Sequence, residues 1–283
     1  MDPFILLTGL MGSVLIAALA YWRGSLSWSG AIGAVIVGTA VFSTGSLTWA
    51  TLLITFFVTS SALSHYKEQI KEPLAEKFQK GQRRDLGQVL ANGGIVALIA
   101  IAFTVIAHRW HFIGFIGAIA TVTADTWATE LGVLSKSLPR LITTGRVVAI
   151  GTSGGVSAFG TVIALCGGLL IGLIAFIAEF SDTVILHHVP FIPESLWLIP
   201  IGAFAGLLGS LVDSVLGATV QGIYYCDFDQ KETESKIHRC GRETRLIRGW
   251  RWLDNDWVNF LSSFIGSLIA LAIYLVLGYL PLN

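Results

Sequence analysis

The chain contains 283 residues, of which 54% are hydrophobic and 13% are charged, and its 18 Lys and Arg residues balance its 18 Asp and Glu residues. A soluble domain has about one quarter charged residues, so this composition and a mean hydropathy of +0.73 indicate a helical membrane protein. They exclude an intrinsically disordered chain, a secreted disulfide scaffold and a conventional nucleic-acid binder.

Eight apolar stretches are long enough to cross about 30 Å of hydrocarbon. They lie near residues 4–22, 28–45, 47–64, 89–107, 111–133, 154–178, 196–219 and 258–280. The first is interpreted as a retained helix and not as a signal peptide, because no Lys or Arg precedes it. We therefore predict an all-α, polytopic membrane protein with about eight transmembrane helices, forming a single integral membrane domain over residues 1–283.

The basic residues test this arrangement of spans. With eight spans, all but one of the 18 Lys and Arg residues fall on the same side, and only Arg109 falls on the other. The positive-inside rule makes the basic side cytoplasmic, so both termini are predicted to face outward. The loops over residues 65–88, 134–153 and 220–257 then lie in the cytoplasm, where we expect them to contribute to a site.

The loop before the fourth span carries basic and amide side chains at helical spacing. Arg83, Arg84, Gln88 and Asn92 can share one side of a helix start, and the planar fork of arginine suits phosphate oxygens. The alternative is a basic patch that binds anionic lipid headgroups, which we prefer for Lys67, Lys71, Lys77 and Lys80. For Arg83 and Arg84 the sequence does not decide between the two.

Three carboxylates lie within predicted spans, namely Asp125 and Glu130 in the fifth and Asp213 in the seventh. Each would cost about 2.5 to 3.5 kcal/mol at a helix centre, and no Lys or Arg lies inside a span to neutralise it. A divalent cation could do so, and Mg²⁺ prefers carboxylates together with phosphate oxygens and water. The alternative is that these are helix ends solvated in the headgroup layer. Asn255, Asp256 and Asn259 lead into the eighth span on the same side.

A glycine-rich segment precedes the sixth span. Gly151, Thr152, Gly154, Gly155 and Ser157 could bring backbone N–H groups and a helix N-terminus to an anion, and we expect a phosphate cradle there. Lys136 and Arg140 in the same loop supply cations. Considered alone, such a segment is more often a simple helix cap.

The three cysteines are too few for a disulfide framework. Cys226 and Cys240 flank His238 in one polar loop, but their spacing disfavours a metal site and the sequence assigns these residues no role.

Metal, cations and backbone amides together are what phosphoryl transfer requires. A site at the membrane surface would admit a nucleotide from the cytoplasm, while an amphiphilic acceptor keeps its hydrocarbon tail in the bilayer. A lipid headgroup is therefore the expected substrate.

Four segments resemble the transmembrane-protein-19-like family, also called the domain-of-unknown-function 92 family. They read RRDLGQVLANGG, ADTWATELGVLSKSLPRLITTGRVVAIGTSGGVSAFGT, LVDSVLGATVQG and NDWVNFLSS, and the resemblance covers about residues 23–268. The family's acidic run falls on Asp125 and Glu130, its glycine-rich run on residues 151–157 and its later Asp on Asp213. Because the family includes the phytyl-phosphate kinase of vitamin E synthesis, the resemblance implies a prenyl-phosphate kinase that uses a nucleoside triphosphate, usually CTP.

The resulting hypothesis is a kinase that transfers a phosphoryl group to an isoprenoid monophosphate such as phytyl phosphate. Asp125 and Asp213 would hold Mg²⁺, Lys136, Arg140 and the glycine segment would bind the nucleotide, and Arg83 or Arg84 would bind the acceptor phosphate. Gln88, Asn92, Asn255, Asp256 and Asn259 would orient ligands. A CTP-dependent cytidylyltransferase and a cation-coupled transporter or scramblase are the alternatives.

The expected location is a bacterial plasma membrane or a thylakoid-type membrane, with the active site on the cytoplasmic side. The expected partners are the bilayer, a nucleotide and an isoprenoid lipid phosphate, with no nucleic acid. Assembly into a homo-oligomer is left open.

Overall fold

The computed structural model describes residues 3–45, 47–67 and 83–278. Eight α-helices occupy most of them: α1 (Pro3–Trp22), α2 (Trp28–Thr44), α3 (Leu47–His65), α4 (Leu86–Val105), α5 (Arg109–Gly132), α6 (Ala158–Phe180), α7 (Leu198–Thr219) and α8 (Asn255–Gly278). Seven are long and apolar enough to cross a membrane, while α2 is apolar but has only 17 residues. The prediction of a polytopic helical protein with about eight spans is confirmed.

The helix boundaries differ from the predicted spans mainly around α6 and α7. α6 begins at Ala158 and not near residue 154, because Gly151 and Gly154 adopt positive φ angles and turn the chain before the helix. Beyond its end, α6 continues as a π-helix (Ser181–Leu186), and a 3₁₀ turn (Pro193–Trp197) leads into α7. These irregular segments keep the hydropathy of a span but not its helical period.

Helix α5 is the centre of the bundle. It packs against α3, α4, α6, α7 and α8, and 72% of its most apolar stretch is buried inside the protein. Its first half is lined by aromatic side chains: the Trp49 ring of α3 lies 4.7 Å from Phe115 and 5.7 Å from Phe112, measured between ring centroids. This apolar packing holds the first half of α5 in the bundle, and the polar residues of its second half continue the same helix.

Glycines allow α6 and α7 to approach closely. A Cβ at Gly168 would lie 2.6 Å from the carbonyl oxygen of Gly202, and one at Gly206 would lie 2.7 Å from the Cα of Gly168. Gly172 and Gly202 meet in the same way. Small residues spaced four apart are a common packing device between membrane helices, and here they fix α7 beside α6.

Two small antiparallel sheets lie in the loops, and the sequence analysis did not predict them. β1 (Arg140–Leu141) pairs with β2 (Gly155–Val156), with Arg140 opposite Val156. β3 (Ile223–Cys226) is the middle strand of a second sheet, between β4 (Lys231–Thr233) and β5 (Arg245–Arg248). Both sheets lie at the end of the bundle where α5 and α7 finish and where α4, α6 and α8 begin.

The opposite end of the bundle carries the one basic residue predicted to lie there. Arg109 forms a 2.9 Å ion pair with Glu179, and the Ser195 hydroxyl donates to the same carboxylate oxygen at 2.7 Å. The separation of this pair from the other basic side chains of the described residues agrees with the predicted charge asymmetry.

Candidate functional site

A polar cavity of about 300 Å³ opens at the end of the bundle where the two sheets lie. Helices α4 to α8 and the loop before α6 all contribute to its walls. Its lining includes the predicted residues Arg84, Gln88, Asn92, Asp125, Glu130, Gly151, Thr152, Gly154, Gly155, Ser157, Asp213, Asn255 and Asn259. The structure therefore brings the acids, the amides and the glycine segment into one space, as the sequence analysis expected.

The carboxylates are held by hydroxyl groups of neighbouring helices. Ser262 of α8 donates to Asp213 at 2.9 Å, and Ser210 of α7 lies 3.4 Å from an oxygen of Asp125. The charges of Asp125 and Asp213 are close enough to repel each other. Two repelling carboxylates in a shared cavity form an arrangement that a bound cation would stabilise.

The residues present fit Mg²⁺. The donors around this part of the cavity are carboxylate, amide and hydroxyl oxygens, which are the ligands that hard cations prefer. Asn92 and Asn259 each donate their amide nitrogen to the backbone of their own helix at 2.9 Å, to Gln88 and Asn255 respectively. The side-chain oxygen is then the ligand atom that each asparagine can offer to a cation or its water.

Arg84 supplies positive charge to the cavity. Its backbone is bonded into the turn between α1 and α2, accepting from Ser27 at 3.0 Å and donating to Ser25 at 3.1 Å. Its guanidinium lies over the rings of Phe56 and Phe57, at 5.5 and 6.0 Å. Burial lowers the pKa of Arg84 from its usual value and the nearby Glu130 carboxylate raises it, but arginine keeps its charge in proteins. Of the described residues that line the cavity, four are acidic and Arg84 alone is Lys or Arg.

The glycine segment forms a tight turn against the end of α7. Gly154 has a φ of +80°, and a Cβ there would lie 2.6 Å from the backbone nitrogen of Ala218. Its carbonyl accepts from Ile142 at 3.0 Å, which ties the turn to the loop that carries β1. Ser157 caps α6 by accepting from the backbone of Gly160 at 3.1 Å. This geometry places the turn and the first turn of α6 along one wall of the cavity.

Four predicted site residues do not line the cavity. Lys136 and Arg140 are exposed, and Arg140 donates to the carbonyl of Gly145 at 2.9 Å. Arg83 points to the surface beside Gly24, and Asp256 lies at the start of α8 outside the cavity wall. The structure therefore places Lys136 and Arg140 outside the cavity in which the sequence analysis expects the nucleotide phosphates.

Gln88 lines the cavity, but its side chain has a structural role as well. It accepts from the backbone of Asp85 at 3.0 Å, while the Asp85 carboxylate accepts from the backbone of Gln88 at 2.9 Å. This reciprocal capping box starts α4 directly after Arg84. Lys71, Lys77 and Lys80, which were assigned to lipid headgroups, fall outside the described residues.

Sequence reasoning missed several polar residues of the cavity. Glu234 follows β4 and reaches the wall through Gln221, whose amide donates to it at 2.9 Å and accepts from the Ser153 hydroxyl at 2.5 Å. The Ser64 hydroxyl of α3 donates to Glu130 at 2.6 Å. The contact of Ser64 joins residues 66 positions apart, and that of Glu234 depends on the pairing of β3 with β4, so no local pattern in the sequence marks either of them.

An apolar pocket lies directly beside the polar cavity, between α1, α2, α3 and α4. Its lining is mostly aliphatic and aromatic and includes Ile16, Ala17, Leu26, Val37, Leu53, Phe56, Phe57 and Val89. Arg84, Gln88 and Asn92 line both spaces. A ligand with an apolar chain and a charged head could therefore occupy both, with its head at Arg84.

Comparisons with known proteins agree with this description. The sequence model of the family described as "Integral membrane protein DUF92" matches residues 11–267. The chain is 37% identical to Protein PGR of Arabidopsis thaliana over 96% of this chain and 98% of that protein. It is 33% identical to an uncharacterized membrane protein of Methanocaldococcus jannaschii over 80% and 76% of the two chains. It is 26% identical to "Protein VTE6, chloroplastic" of Arabidopsis thaliana, over 94% of this chain and 66% of that protein. No solved structure matches.

Proposed function

Because this chain belongs to the family of integral membrane proteins described as DUF92, as its motifs predicted, we propose that it is an enzyme acting on an isoprenoid lipid at the membrane surface. The proposed reaction is the transfer of a phosphoryl group from a nucleoside triphosphate to a prenyl monophosphate such as phytyl phosphate. CTP is the proposed donor. The family resemblance, which implies a prenyl-phosphate kinase, supports this reaction class, and Protein VTE6 is among the proteins that the chain resembles. The cytoplasmic face of the membrane is the side on which we place the site.

The observation that carries the proposal is the junction of the polar cavity and the apolar pocket at Arg84. A prenyl phosphate has the same division into a charged head and an apolar chain. Its phosphate would bind the guanidinium fork of Arg84, and its chain would lie among Phe56, Phe57 and the aliphatic residues of α1 and α2. A transporter would need polar groups reachable from both sides, whereas these polar groups lie at one end of the bundle.

The nucleotide would enter the cavity opposite the acceptor. Backbone N–H groups of the turn at residues 151–155 and the N-terminus of α6 would bind its phosphates. Asp125 and Asp213 would hold Mg²⁺, which, when bound, offsets the charge on the phosphate oxygens. Four acidic side chains would otherwise repel the triphosphate.

Transfer would then proceed by displacement at the γ-phosphorus. An oxygen of the acceptor phosphate forms a bond to that phosphorus while the bond to the bridging oxygen breaks, and the nucleoside diphosphate leaves with the electron pair. The acceptor phosphate is already anionic near neutral pH, so no side chain has to remove a proton. The work of the protein is positioning: Arg84 holds the acceptor, and the glycine turn holds the donor in line with it.

Product analysis tests the proposal. The purified protein in lipid nanodiscs is incubated with Mg²⁺, phytyl phosphate and CTP labelled on either the α- or the γ-phosphate. A kinase transfers the γ label to a lipid diphosphate and leaves the α label in CDP. Transfer of the α label to the lipid with release of pyrophosphate would establish the cytidylyltransferase. Intact CTP in this assay, together with uptake of substrate by sealed vesicles that contain the protein, would establish a transporter.

Replacing Arg84 by Lys is expected to raise the KM for the prenyl phosphate by about 10-fold or more, with a smaller effect on the KM for CTP. Lysine keeps the charge but loses the planar fork, and a hydrogen bond to a charged group contributes about 1.5 to 3 kcal/mol. Arg83→Lys is the matched control: the neighbouring side chain lies at the surface, so its KM values should stay within about two-fold of the parent. Equal effects of the two substitutions on the prenyl phosphate KM would contradict the assignment of the acceptor phosphate to Arg84.

A further inference from the structure

Four potential metal ligands meet in the loop module that contains β3, β4 and β5. Cys226 ends β3, Asp229 lies in the turn between β3 and β4, and His238 and Cys240 lie in the turn before β5. One ligand atom from each residue lies within 4.8 Å of all the others. The cluster is separate from the carboxylates of the polar cavity, and the proposed phosphoryl transfer does not use it.

Two distances within the cluster match those between ligands of a tetrahedral zinc site. The two sulfur atoms are 3.7 Å apart, and Nδ1 of His238 lies 3.4 Å from Sγ of Cys240. Zinc bonds of about 2.3 Å to sulfur and about 2.0 Å to nitrogen place two sulfurs about 3.8 Å apart, and a sulfur and a nitrogen about 3.5 Å apart. Both observed distances agree with these values. A disulfide would need a separation of about 2.05 Å, and both cysteines are free thiols in this structure.

Backbone hydrogen bonds in the turn before β5 position two of the ligands, His238 and Cys240. The backbone of His238 donates to Arg242 at 2.9 Å, and Gly241, at a φ of +81°, donates to His238 at 2.8 Å. The chain thus reverses immediately after Cys240, and this reversal turns His238 and Cys240 toward Cys226. The spacing of Cys226, His238 and Cys240 in the sequence disfavours a metal site. The fourth ligand, Asp229, reaches the cluster through a turn that only the fold shows.

An ion pair alone is a poor explanation for the cluster. Nδ1 of His238 lies 2.8 Å from Asp229, but the ring is buried and its Nε2 atom has no hydrogen-bond partner among the described residues. A doubly protonated ring would leave a charged N–H group buried without an acceptor, which is costly. A neutral ring that binds a metal through Nδ1 keeps its single proton on Nε2 and carries no positive charge, so the buried N–H group is uncharged, and the carboxylate and the thiolates balance the cation.

We propose that Cys226, Asp229, His238 and Cys240 bind one structural Zn²⁺. Thiolate and imidazole ligands in tetrahedral geometry select zinc over Mg²⁺ or Ca²⁺, and four protein ligands leave no open position for a substrate. The ion joins the two turns of the β3–β5 module. Glu234 lies between Asp229 and His238 in the chain, so the ion also fixes the segment that brings Glu234 to the cavity wall.

The test measures metal content in the full-length protein, purified in detergent without chelators. Mass spectrometry of metals should find about one zinc ion per chain, and Co²⁺ exchanged into the site should give the thiolate charge-transfer and d–d absorption bands of tetrahedral coordination. Cys226→Ser and Cys240→Ser should each lower the zinc content at least five-fold. Cys166→Ser, which changes the cysteine of α6 outside the cluster, should leave it unchanged.

Three results would overturn the zinc proposal. Protein that contains no zinc and gives no Co²⁺ bands, or zinc content that survives both cysteine substitutions, would overturn the proposal. Thiol titration of the denatured parent protein would also overturn it by finding only Cys166 reactive, because Cys226 and Cys240 would then be a disulfide. Should a cysteine variant fail to fold, the Co²⁺ spectrum of the parent and the zinc content of Asp229→Asn still decide. None of these measurements depends on kinase activity.

Discussion

Asp125→Asn and Asp213→Asn are each expected to lower the rate of Mg²⁺-dependent transfer at least about 100-fold. Each substitution removes one of the two carboxylates proposed to hold the ion while preserving the size of the side chain and its contact with Ser210 or Ser262. Loss of a group that stabilises charge in a transition state typically costs two to three orders of magnitude in rate, about 2.7 to 4 kcal/mol. The measurement is turnover of CTP with a prenyl phosphate in nanodiscs, over a range of Mg²⁺ concentrations.

Stability distinguishes a metal site from a structural role for these acids. Asp125 and Asp213 repel each other, so neutralising either one should leave the melting temperature unchanged or raise it while activity collapses. If either carboxylate had only a structural role, its substitution would instead lower the melting temperature and the activity together. The double variant should be little slower than either single one, because both residues are proposed to hold the same ion.

Asp182→Asn is the matched control for the two substitutions. Asp182 lies at the opposite end of the bundle, in the π-helix after α6, where it is partly exposed. Activity within about two-fold of the parent is expected, as for a surface substitution away from the site. Full activity of Asp125→Asn, or an equal loss in Asp182→Asn, would remove the basis for a metal site at Asp125 and Asp213.

The architecture was predictable because membranes impose strong local rules on sequence. A span must be mostly apolar, and a carboxylate inside a span needs a partner, so Asp125 and Asp213 could be predicted from the sequence to lie in a shared polar space, and both line the cavity. The glycine segment could be predicted to lie near them, because the order of crossings places the ends of α5 and α7 and the start of α6 on one side of the membrane.

The parts that could not be predicted depend on contacts between distant segments or on side-chain direction. Glu234 reaches the cavity through Gln221 and the pairing of β3 with β4, which no hydropathy pattern reports. The apolar pocket lies between α1, α2, α3 and α4, and no local pattern in the sequence marks which of their side chains meet. Lys136 and Arg140 have the right charge and lie in the right loop, but the direction of an exposed loop side chain is not encoded in spacing.

Gly154→Ala is expected to lower both stability and activity, and it tests whether the shape of the glycine turn matters. An L-residue at a φ of +80° costs about 1 to 2 kcal/mol, and the added Cβ would lie 2.5 to 2.7 Å from the Cβ, N and Cα atoms of Ala218. These contacts involve the backbone of α7, so relief requires the turn or the helix end to move, at a further cost of about 1 to 3 kcal/mol. We expect a fall of several degrees in the melting temperature and at least a 10-fold rise in the KM for CTP.

Gly145→Ala separates the two causes, because Gly145 has a φ of +69° in the same loop but no atom within 4 Å of an added Cβ. It should lose only the conformational part of the stability, about 1 to 2 kcal/mol, and keep its KM for CTP, since Gly145 does not line the cavity. If the two variants behaved alike in nucleotide binding, the contact between the turn and α7 would have no part in holding the phosphates. If only Gly154→Ala lost nucleotide affinity, α7 would position both Asp213 and the turn, so that the proposed metal-binding and phosphate-binding groups move as one unit.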